Sequence, residues 1–506
     1  MLLRDRPAYY MNWKWFVLIG TLLILGGCTK KGNEKPIKSI QADSLQMTFS
    51  ALLQSNMVVQ RDKPFMIWGQ APANLSIAVN VSWNTVTFNV TADARGVWSV
   101  SIPPSAANGV PQTIMAKAEG HEAIILTNIL IGDVWICSGQ SNMVFPVDAI
   151  TPFGGVPNYQ SEIAAANYPL IRMLNLKEDK EVLPLNKLNN PAPWSVCSPS
   201  TVGAESAVAY YFARKLNMSL NVPIGIIVSA VNGSYCQDWA NVTALEGDAA
   251  LSINYLGGSS TFYNGMINPL INLSIKGFIW YQGENNQHDE PALYTQLNAA
   301  LIQGWRKKFN QETLPFYFTQ LTPFAEDYNS TKPPGGDTTS DYLALFREGQ
   351  ANIRATSQGV GMAVTMDIGE VANHHPHNKK PVGERLALLA LNRTYAQNVR
   401  CEGPQYASFS ANQYIVTVNF VPGTADGLNT INGAPLDQHF FVAGPDELFR
   451  LGYARIAGNT IVIKAPPNTP LPVKAVRYAF TNAPITNLQN SDGLPAEPFR
   501  TDRWNF

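Results

Sequence analysis

The chain has 506 residues, of which 45% are hydrophobic and 14% are charged. This is more apolar sequence than one compact core needs, so we expect a globular protein of two or three domains. Lysine and arginine number 36 against 37 acidic residues, and the net charge of -1 provides no field for binding phosphate backbones, which excludes nucleic acid as an expected partner.

The first informative element is the apolar segment 15–27, which follows a lysine. Such a segment is too short to span a bilayer comfortably and is typical of a secretory signal. It ends in Leu-Gly-Gly followed by Cys28, which resembles a bacterial lipobox. We therefore interpret residues 1–28 as a lipoprotein signal peptide, Cys28 as the lipidation site and residues 29–44 as a polar tether. An uncleaved membrane anchor is the alternative, and both interpretations place the protein outside the cytoplasm, on the bacterial cell envelope.

Residues 45–131 have the pattern of short β-strands. Residues 76–82 and 85–91 are rich in alternating and β-branched side chains, and residues 97–100 follow a turn signal. Strands this short and closely spaced predict a small N-terminal β-sandwich domain.

From residue 132 to residue 400, short apolar strands alternate with longer helical stretches. Residues 224–229 and 277–281 are expected strands, and residues 204–216 and 293–309 are expected helices. This alternation is typical of an α/β domain, in which helices cover both faces of a parallel sheet. Residues 401–506 return to a β pattern and predict a C-terminal β-rich segment that packs on the core.

A serine stands where one of these strands ends. The apolar residues 134–137 run directly into Ser-Gly-Gln and then Ser141. The carboxyl edge of such a sheet is where ligands of open α/β folds bind. The second glycine of a Gly-x-Ser-x-Gly elbow is missing, which argues against an α/β-hydrolase. A serine at this place acts as a nucleophile only with a base nearby, and otherwise caps a helix.

Three histidines, His374, His375 and His377, form the second polar cluster. Imidazoles at this density could bind a metal, although Pro376 interrupts any helical spacing and no standard zinc pattern is present nearby. A catalytic base and a solvated loop are the two other interpretations. The cluster alone leaves all three open.

Both clusters belong to a series of segments that resembles the sialate O-acetylesterase family, a branch of the SGNH hydrolases. The segments occur in the family's order and cover essentially the whole chain after the signal. They are residues 56–61 with 68–69, 132–143, 222–239, 280–286, 375–386, 476–478 and 493–500. The resemblance implies an α/β fold with a flavodoxin-like, three-layer SGNH core and a parallel sheet, flanked by β regions.

The resemblance also implies roles for individual residues. Ser141 would be the nucleophile and His375 its base. The backbone N–H groups of Ser141 and Gly233 would be the first two donors of the oxyanion hole. For the third donor, position in the family block favours the side-chain amide of Gln282 over that of Asn286. Neither a metal nor a cofactor is implied.

The chain departs from the family pattern next to the base. Many SGNH enzymes have an aspartate three residues before the histidine, where it fixes the imidazole tautomer, and this chain has Ala372. Either a backbone carbonyl orients His375, or one of the two preceding acids, Asp367 or Glu370, reaches it.

Arg347 and Gln350 match a further family stretch, Arg-Glu-x-Gln. They could hold a substrate carboxylate or hydroxyls, although a helix-surface salt bridge is the commoner use of such an arginine.

The function implied by the resemblance is that of a metal-independent carbohydrate O-acetylesterase with an acetyl-serine intermediate. O-acetylated sialic acid is the first expected substrate, in particular as a sialate 9-O-acetylesterase, and acetylated xylan or another glycan is the second. Two alternatives belong to other classes. One is a glycan-binding lipoprotein that has lost catalysis, which Ala372 keeps open, and the other is a metal-dependent deacetylase that uses the histidine cluster.

Overall fold

The structure is a computed structural model that describes residues 46–325 and 342–504. The predicted signal peptide, Cys28 and the tether lie outside these residues. In the part that is described, no helix has the length and hydropathy needed to cross a membrane.

The N-terminal region consists of short strands. They are β1 (Thr48–Phe49), β2 (Val58–Gln60), β3 (Phe65–Gln70), β4 (Ser76–Val81), β5 (Phe88–Thr91), β6 (Val97–Ile102), β7 (Asn108–Lys117) and β8 (Ile124–Gly139). β1, β3 and β6 form one antiparallel sheet, and β5, β4, β7 and β8 pair in a second. Side chains that alternate along these strands, such as Ile67 and Val79, are buried in the common core. This arrangement agrees with the predicted β-sandwich.

β8 crosses the predicted domain boundary. It pairs with β7 up to residue 131, and from Asp133 onward it pairs with core strands. Arg61 also joins the two regions, since its guanidinium binds the buried carboxylate of Asp133 at 2.8 Å. The described residues from 46 onward cluster as one compact unit. A continuous strand therefore belongs to both regions and runs through the predicted division at residue 131.

The core alternates strands and helices. Its elements are α1 (Ser141–Val144), α2 (Tyr159–Ala164), β9 (Tyr168–Asn175), β10 (Ser195–Cys197), α3 (Ala207–Leu220), β11 (Ile224–Ala230), α4 (Cys236–Trp239), α5 (Val242–Glu246), α6 (Ala249–Tyr255), β12 (Gly277–Tyr281), α7 (Pro291–Lys308), β13 (Phe316–Thr319), α8 (Tyr342–Asn352), β14 (Val360–Ala363) and α9 (Lys380–Arg393). The predicted helices 204–216 and 293–309 correspond to α3 and α7. α3 begins later than predicted because Ser206 caps it, accepting the N–H of Ala209.

The core strands lie in the order β10-β9-β11-β8-β12-β13-β14. All are parallel except β10, which is antiparallel to β9. With β9 and β10 set aside as additions at one edge, the remaining order is that of the flavodoxin-like sheet. The predicted core is confirmed.

Helices cover both faces of this sheet. Phe278 of β12 contacts Trp305 of α7, with 5.1 Å between ring centroids. Phe278 pairs with Ile136 of β8, and these two side chains lie on the same face of the sheet. Side chains alternate along a strand, so the neighbouring Trp135 points to the opposite face. There its ring contacts Phe212 of α3, with 5.1 Å between centroids. α9 packs beside α3, and α8 beside α7. The result is the predicted three-layer arrangement.

The C-terminal segment is β-rich. Its strands are β15 (Tyr406–Asn412), β16 (Ile415–Phe420), β17 (Asn429–Thr430), β18 (Phe440–Ala443), β19 (Arg450–Leu451), β20 (Tyr453–Ala457), β21 (Thr460–Lys464), β22 (Ala475–Tyr478), β23 (Leu488–Gln489) and β24 (Phe499–Arg500). Two ion pairs join this segment to α8 and the turn after it, Arg500 with Glu348 at 2.8 Å and Glu497 with Arg354 at 2.6 Å. The segment packs on the core as predicted.

Arg347 on α8 strengthens the same junction. It is fully buried, and its guanidinium donates to the backbone carbonyls of Leu321 at 2.9 Å, Thr481 at 2.9 Å and Asn482 at 2.6 Å. Gln350 is also buried and accepts the N–H of Leu321 at 2.9 Å. The Arg347 side chain therefore lies inside the protein, bound to backbone carbonyls, and not on the helix surface.

Candidate active site

The candidate site lies where the three central strands of the core sheet end. β11 and β12 flank β8, and the carboxyl ends of these parallel strands meet at one edge. The strand order reverses here, and such a switch point opens a crevice between the loops. The loops after β8, β11 and β12 carry Ser141, Gly233 and residues 282–286, respectively.

The chain turns sharply between β8 and Ser141. Gly139 has a φ of 139°, and a Cβ there would lie 2.1 Å from the carbonyl oxygen of Tyr281. Only glycine fits this approach and conformation. Gln140 is extended, and Ser141 is the first residue of α1. The serine is thereby placed at the strand end, with 6% of its surface exposed.

His375 lies against this serine. Its Nε2 is 2.7 Å from Oγ of Ser141, although the two residues are separated by 234 positions. The edge of its ring packs on Phe153, with 5.2 Å between centroids. Burial lowers the pKa of His375 to about 3, and the charges of His374 and Lys379 act in the same direction. A neutral imidazole at neutral pH can accept the serine proton.

The other two histidines have different environments. The Nδ1 of His377 is 2.9 Å from Oε1 of Glu370, and the ring of His374 lies 4.0 Å from that of His375. Across the ranges 46–325 and 342–504, no three His, Cys, Asp or Glu residues are arranged to hold a metal. The three histidines thus do not converge on a common point, and the geometry favours the interpretation of His375 as a base.

Neither candidate acid reaches His375. Asp367 forms a two-pronged ion pair with Arg385, at 2.7 and 2.6 Å. Glu370 accepts hydrogen bonds from His377 and, at 2.9 Å, from Asn373. No carboxylate in the described part of the chain is hydrogen-bonded to the His375 ring. The expectation that Asp367 or Glu370 supports the imidazole directly is therefore wrong, because both carboxylates are engaged by other groups.

The two predicted backbone donors follow two neighbouring strands, β8 and β11. Ser141 begins α1, so its N–H has no acceptor within the helix, and no side chain caps this end. Gly233 follows β11 with a φ of 67°, a conformation that glycine adopts without strain. The residue is solvent-exposed, and a Cβ there would have only Asn285 Nδ2 within 4 Å, at 3.9 Å. The surroundings of the Gly233 Cα are therefore open.

Gln282 does not provide the third donor. Its side chain is fully buried, and its amide nitrogen donates to Oε1 of Gln140 at 3.0 Å and to Oδ1 of Asn286 at 2.7 Å. Asn286 is equally buried and donates to Gln237 at 3.0 Å and Asp289 at 2.8 Å. The prediction for Gln282 is corrected, since both amides hold the loops together beneath the site.

Asn285, which the sequence did not single out, is the third side-chain amide after β12 and a candidate donor. It is half-buried, and its Nδ2 donates to the carbonyl of Gly233 at 2.6 Å. That bond uses one of the two amide hydrogens, and the other remains for a ligand beside Gly233. The backbone N–H of Asn285 lies 3.4 Å from Oε1 of Gln140, the residue before the serine. In the sequence, Asn285 is marked only by its place beside Asn286, which carries an identical side chain.

Comparison with known proteins decides the family. A family profile described as a carbohydrate esterase, sialic acid-specific acetylesterase, matches residues 131–388, just over half of the chain. The chain belongs to this family. The match confirms the resemblance recognised in the sequence and, with it, the class of carboxylic ester hydrolases.

Relatives of this acetylesterase family member match over most of their length. A carbohydrate acetylesterase from Xanthomonas citri is 33% identical, with a TM-score of 0.80 over 90% of this chain and 100% of that one. Human sialate O-acetylesterase is 26% identical over 89% of this chain and 92% of its own. The rat protein of that name is 27% identical over 70% of this chain and 75% of its own.

Proposed function

We propose that the protein is a carbohydrate O-acetylesterase with Ser141 as nucleophile and His375 as base. The observation that carries this proposal is the 2.7 Å distance between His375 Nε2 and Ser141 Oγ at the carboxyl edge of the sheet. A serine hydroxyl becomes an effective nucleophile only when a base takes its proton during attack, and this distance is within reach for that transfer.

The reaction follows from that pair. Ser141 Oγ bonds to the acetyl carbonyl carbon while its proton passes to His375 Nε2. The bond from that carbon to the sugar oxygen then breaks, and His375 returns the proton to the departing sugar. Water repeats the sequence on acetyl-Ser141, releasing acetate and restoring the serine.

The oxyanion of each tetrahedral intermediate needs donors that are already in place. We assign them to the backbone N–H groups of Ser141 and Gly233 and to the side-chain amide of Asn285. The support for Asn285 is its half-buried position and its bond to the Gly233 carbonyl, which places its amide beside the second donor.

O-acetylated sialic acid, with the acetyl group on the 9-hydroxyl, is the proposed substrate. The description of the family and the name of the human relative support sialic acid as the sugar, and the 9-hydroxyl is part of the proposal. Acetylated xylan and other acetylated glycans are the competing substrates, because the Xanthomonas citri neighbour is described only as a carbohydrate acetylesterase.

Acetate release from a panel of acetylated glycans tests this function. We expect wild-type protein to release acetate fastest from 9-O-acetylated sialic acid, and equally fast with and without a metal chelator. Faster release from acetylxylan would replace the proposed substrate but keep the esterase. Loss of activity on chelation would instead point to a metal-dependent deacetylase. If the protein binds the glycans but releases no acetate, either from them or from an aryl acetate, it is a binding protein.

We further propose that the protein is exported and anchored to the bacterial envelope through a lipid on Cys28. The lipobox-like sequence before this cysteine supports the proposal. Cells given labelled palmitate should incorporate the label into the wild-type protein and not into Cys28→Ala. Equal labelling of both proteins would exclude lipidation at this residue.

A further inference from the structure

The loop that carries His375 is held by two side chains at the carbonyls on either side of that residue. Asn142 Nδ2 donates to the carbonyl of His374 at 2.9 Å. Lys379 Nζ donates to the carbonyl of Pro376 at 2.6 Å. Asn142 directly follows the nucleophile in the chain, so the first of these bonds connects the serine turn to the histidine loop.

A third side chain binds the backbone of His375 itself. Asn373 Oδ1 accepts the N–H of His375 at 2.9 Å, and Asn373 Nδ2 donates to its carbonyl at 2.9 Å. Glu370 in turn accepts from Asn373 at 2.9 Å and from the N–H of His377 at 2.7 Å. Partial burial would raise the pKa of Glu370, but the hydrogen bonds from His377 and Asn373 outweigh it and lower the pKa. We call Asn142, Asn373 and Lys379 the clamp.

A buried titratable group lies on each side of Asn142, Lys379 on one side and Glu284 on the other. Lys379 is fully buried, and it donates to Asn142 Oδ1 and lies 4.5 Å from the centre of the Phe145 ring. The amide of Asn142 donates at its other end to the buried carboxylate of Glu284. Burial raises the pKa of Glu284, and that of Lys379 falls to about 7 for the same reason, with Glu284 opposing the fall. Lys379 as donor and Glu284 as acceptor fix the orientation of the Asn142 amide between them. A flipped amide would turn its oxygen toward the Glu284 oxygens and its nitrogen toward the Lys379 ammonium, and neither hydrogen bond could form.

We propose that the clamp positions His375 over Ser141 by binding the backbone around it, in the role that a carboxylate on the imidazole fills in a Ser-His-Asp triad. This inference rests on the proposed function and adds positioning residues to it. It explains how the enzyme can work with Ala372 in place of the usual aspartate. A loop whose backbone is held on both sides of His375 does not need a carboxylate hydrogen-bonded to the imidazole. The hydrogen bonds of the clamp residues go to the backbone of the loop, to one another and to Glu284 and Glu370, and none of those described goes to Ser141 Oγ or to the His375 ring.

The clamp also has an electrostatic consequence. Among the described residues, the charges that act on His375 are those of His374 on its own loop and Lys379 at the start of α9, and Glu284 after β12 and Glu370 on the preceding loop act in turn on Lys379. The Lys379 cation disfavours protonation of His375, so its removal raises the histidine pKa. Activity that needs a neutral base is lost as the pH falls through that pKa, and the acid limb of kcat/KM must therefore move to higher pH.

Lys379→Met tests the clamp, with the neighbouring Lys380→Met as the matched control. Lys380 is exposed and lies 3.6 Å from Glu162 outside the site. For Lys379→Met we expect kcat on an aryl acetate to fall about 100-fold, as misplacement of a reacting group by about 1 Å does, with little change in KM. The acid limb should move up by about one pH unit. Lys380→Met should match the wild type in both measurements.

Two further variants separate positioning from folding. Lys379→Met leaves Glu284 as an unpaired buried carboxylate, which can itself destabilise the fold. The double variant Lys379→Met with Glu284→Gln removes both charges, so the thermal midpoint should recover while kcat stays low and the acid limb stays displaced. Asn373→Ala alters a half-buried loop position, and we expect it to fold and to lose part of kcat.

The result that would overturn the clamp is a folded Lys379 or Asn373 variant with the kcat and pH profile of the wild type. Recovery of kcat together with stability in the double variant would overturn it too, by showing a purely structural role. These outcomes are distinct from failure of the proposed function, in which wild-type protein itself does not hydrolyse the ester.

Discussion

Ser141→Ala is expected to lower kcat/KM for an aryl acetate by about 10⁴-fold or more, the range seen when the nucleophile of a serine hydrolase is removed. The reason is that no acetyl-enzyme can form, so only the weak acceleration by the oxyanion donors remains. Ser141 makes few packing contributions that alanine cannot replace, and the thermal midpoint should stay close to that of the wild type. Initial rates of phenol release at saturating and limiting substrate measure the effect.

His375→Ala should give a loss of similar size, because the serine without its base is a poor nucleophile. The double variant should be no worse than either single variant, since two groups that act as one unit have non-additive effects. His121→Ala, an exposed histidine on the turn before β8, is the control and should retain full activity. A Ser141→Ala protein that hydrolyses the ester at the wild-type rate would show that the nucleophile is elsewhere.

Asn285→Ala is expected to have the next largest effect, a fall in kcat of about 10² to 10³-fold, which is the typical cost of one oxyanion donor. The change in KM should be small, since the donor acts on charge that develops only in the transition state. Asn285→Asp should lose at least as much, because an ionised carboxylate cannot donate a hydrogen bond and repels the oxyanion. Steady-state kinetics on the same aryl acetate measure both.

Asn254→Ala provides the matched control for Asn285. This asparagine is exposed on α6, where its amide donates to the carbonyl of Ala250 at 2.8 Å. Its loss should leave kcat unchanged. Were Asn285→Ala to retain the wild-type kcat as well, the third donor would have to be sought among other groups at the ends of β11 and β12.

Local patterns in the chain were sufficient to predict the layers of the fold. Apolar runs such as 277–281 and helical spacing such as 293–309 are properties of neighbouring residues, and β12 and α7 match them closely. These local patterns did not show that β8 continues through the predicted boundary at residue 131. The sequence of a single strand does not show which strands pair with its first half and which pair with its second half.

The choice among the amides after β12 shows the same limit at the level of the site. Gln282, Asn285 and Asn286 have the same chemistry and lie within a few residues, so their order in the sequence cannot decide which faces the substrate. Gly283 turns the chain with a φ of 148°, and residues 284–286 then form one tight helical turn. Successive side chains on such a turn point about 120° apart. When Asn285 points toward Gly233, Glu284 and Asn286 therefore point into the protein interior, where both are buried.

The sequence by itself determined the family, and it was enough to propose Ser141 and His375 as nucleophile and base, because both stand in short motifs of the residue types that this chemistry needs. Only the tertiary structure decided which groups surround that pair. Asp367 and Glu370 were the nearest acids in the chain, yet each is bound by another residue. One of the groups that hold the histidine loop, Asn142, comes from more than two hundred residues away. Hydrogen bonds depend on distance and direction in space, and these are set by the packing of whole strands and loops.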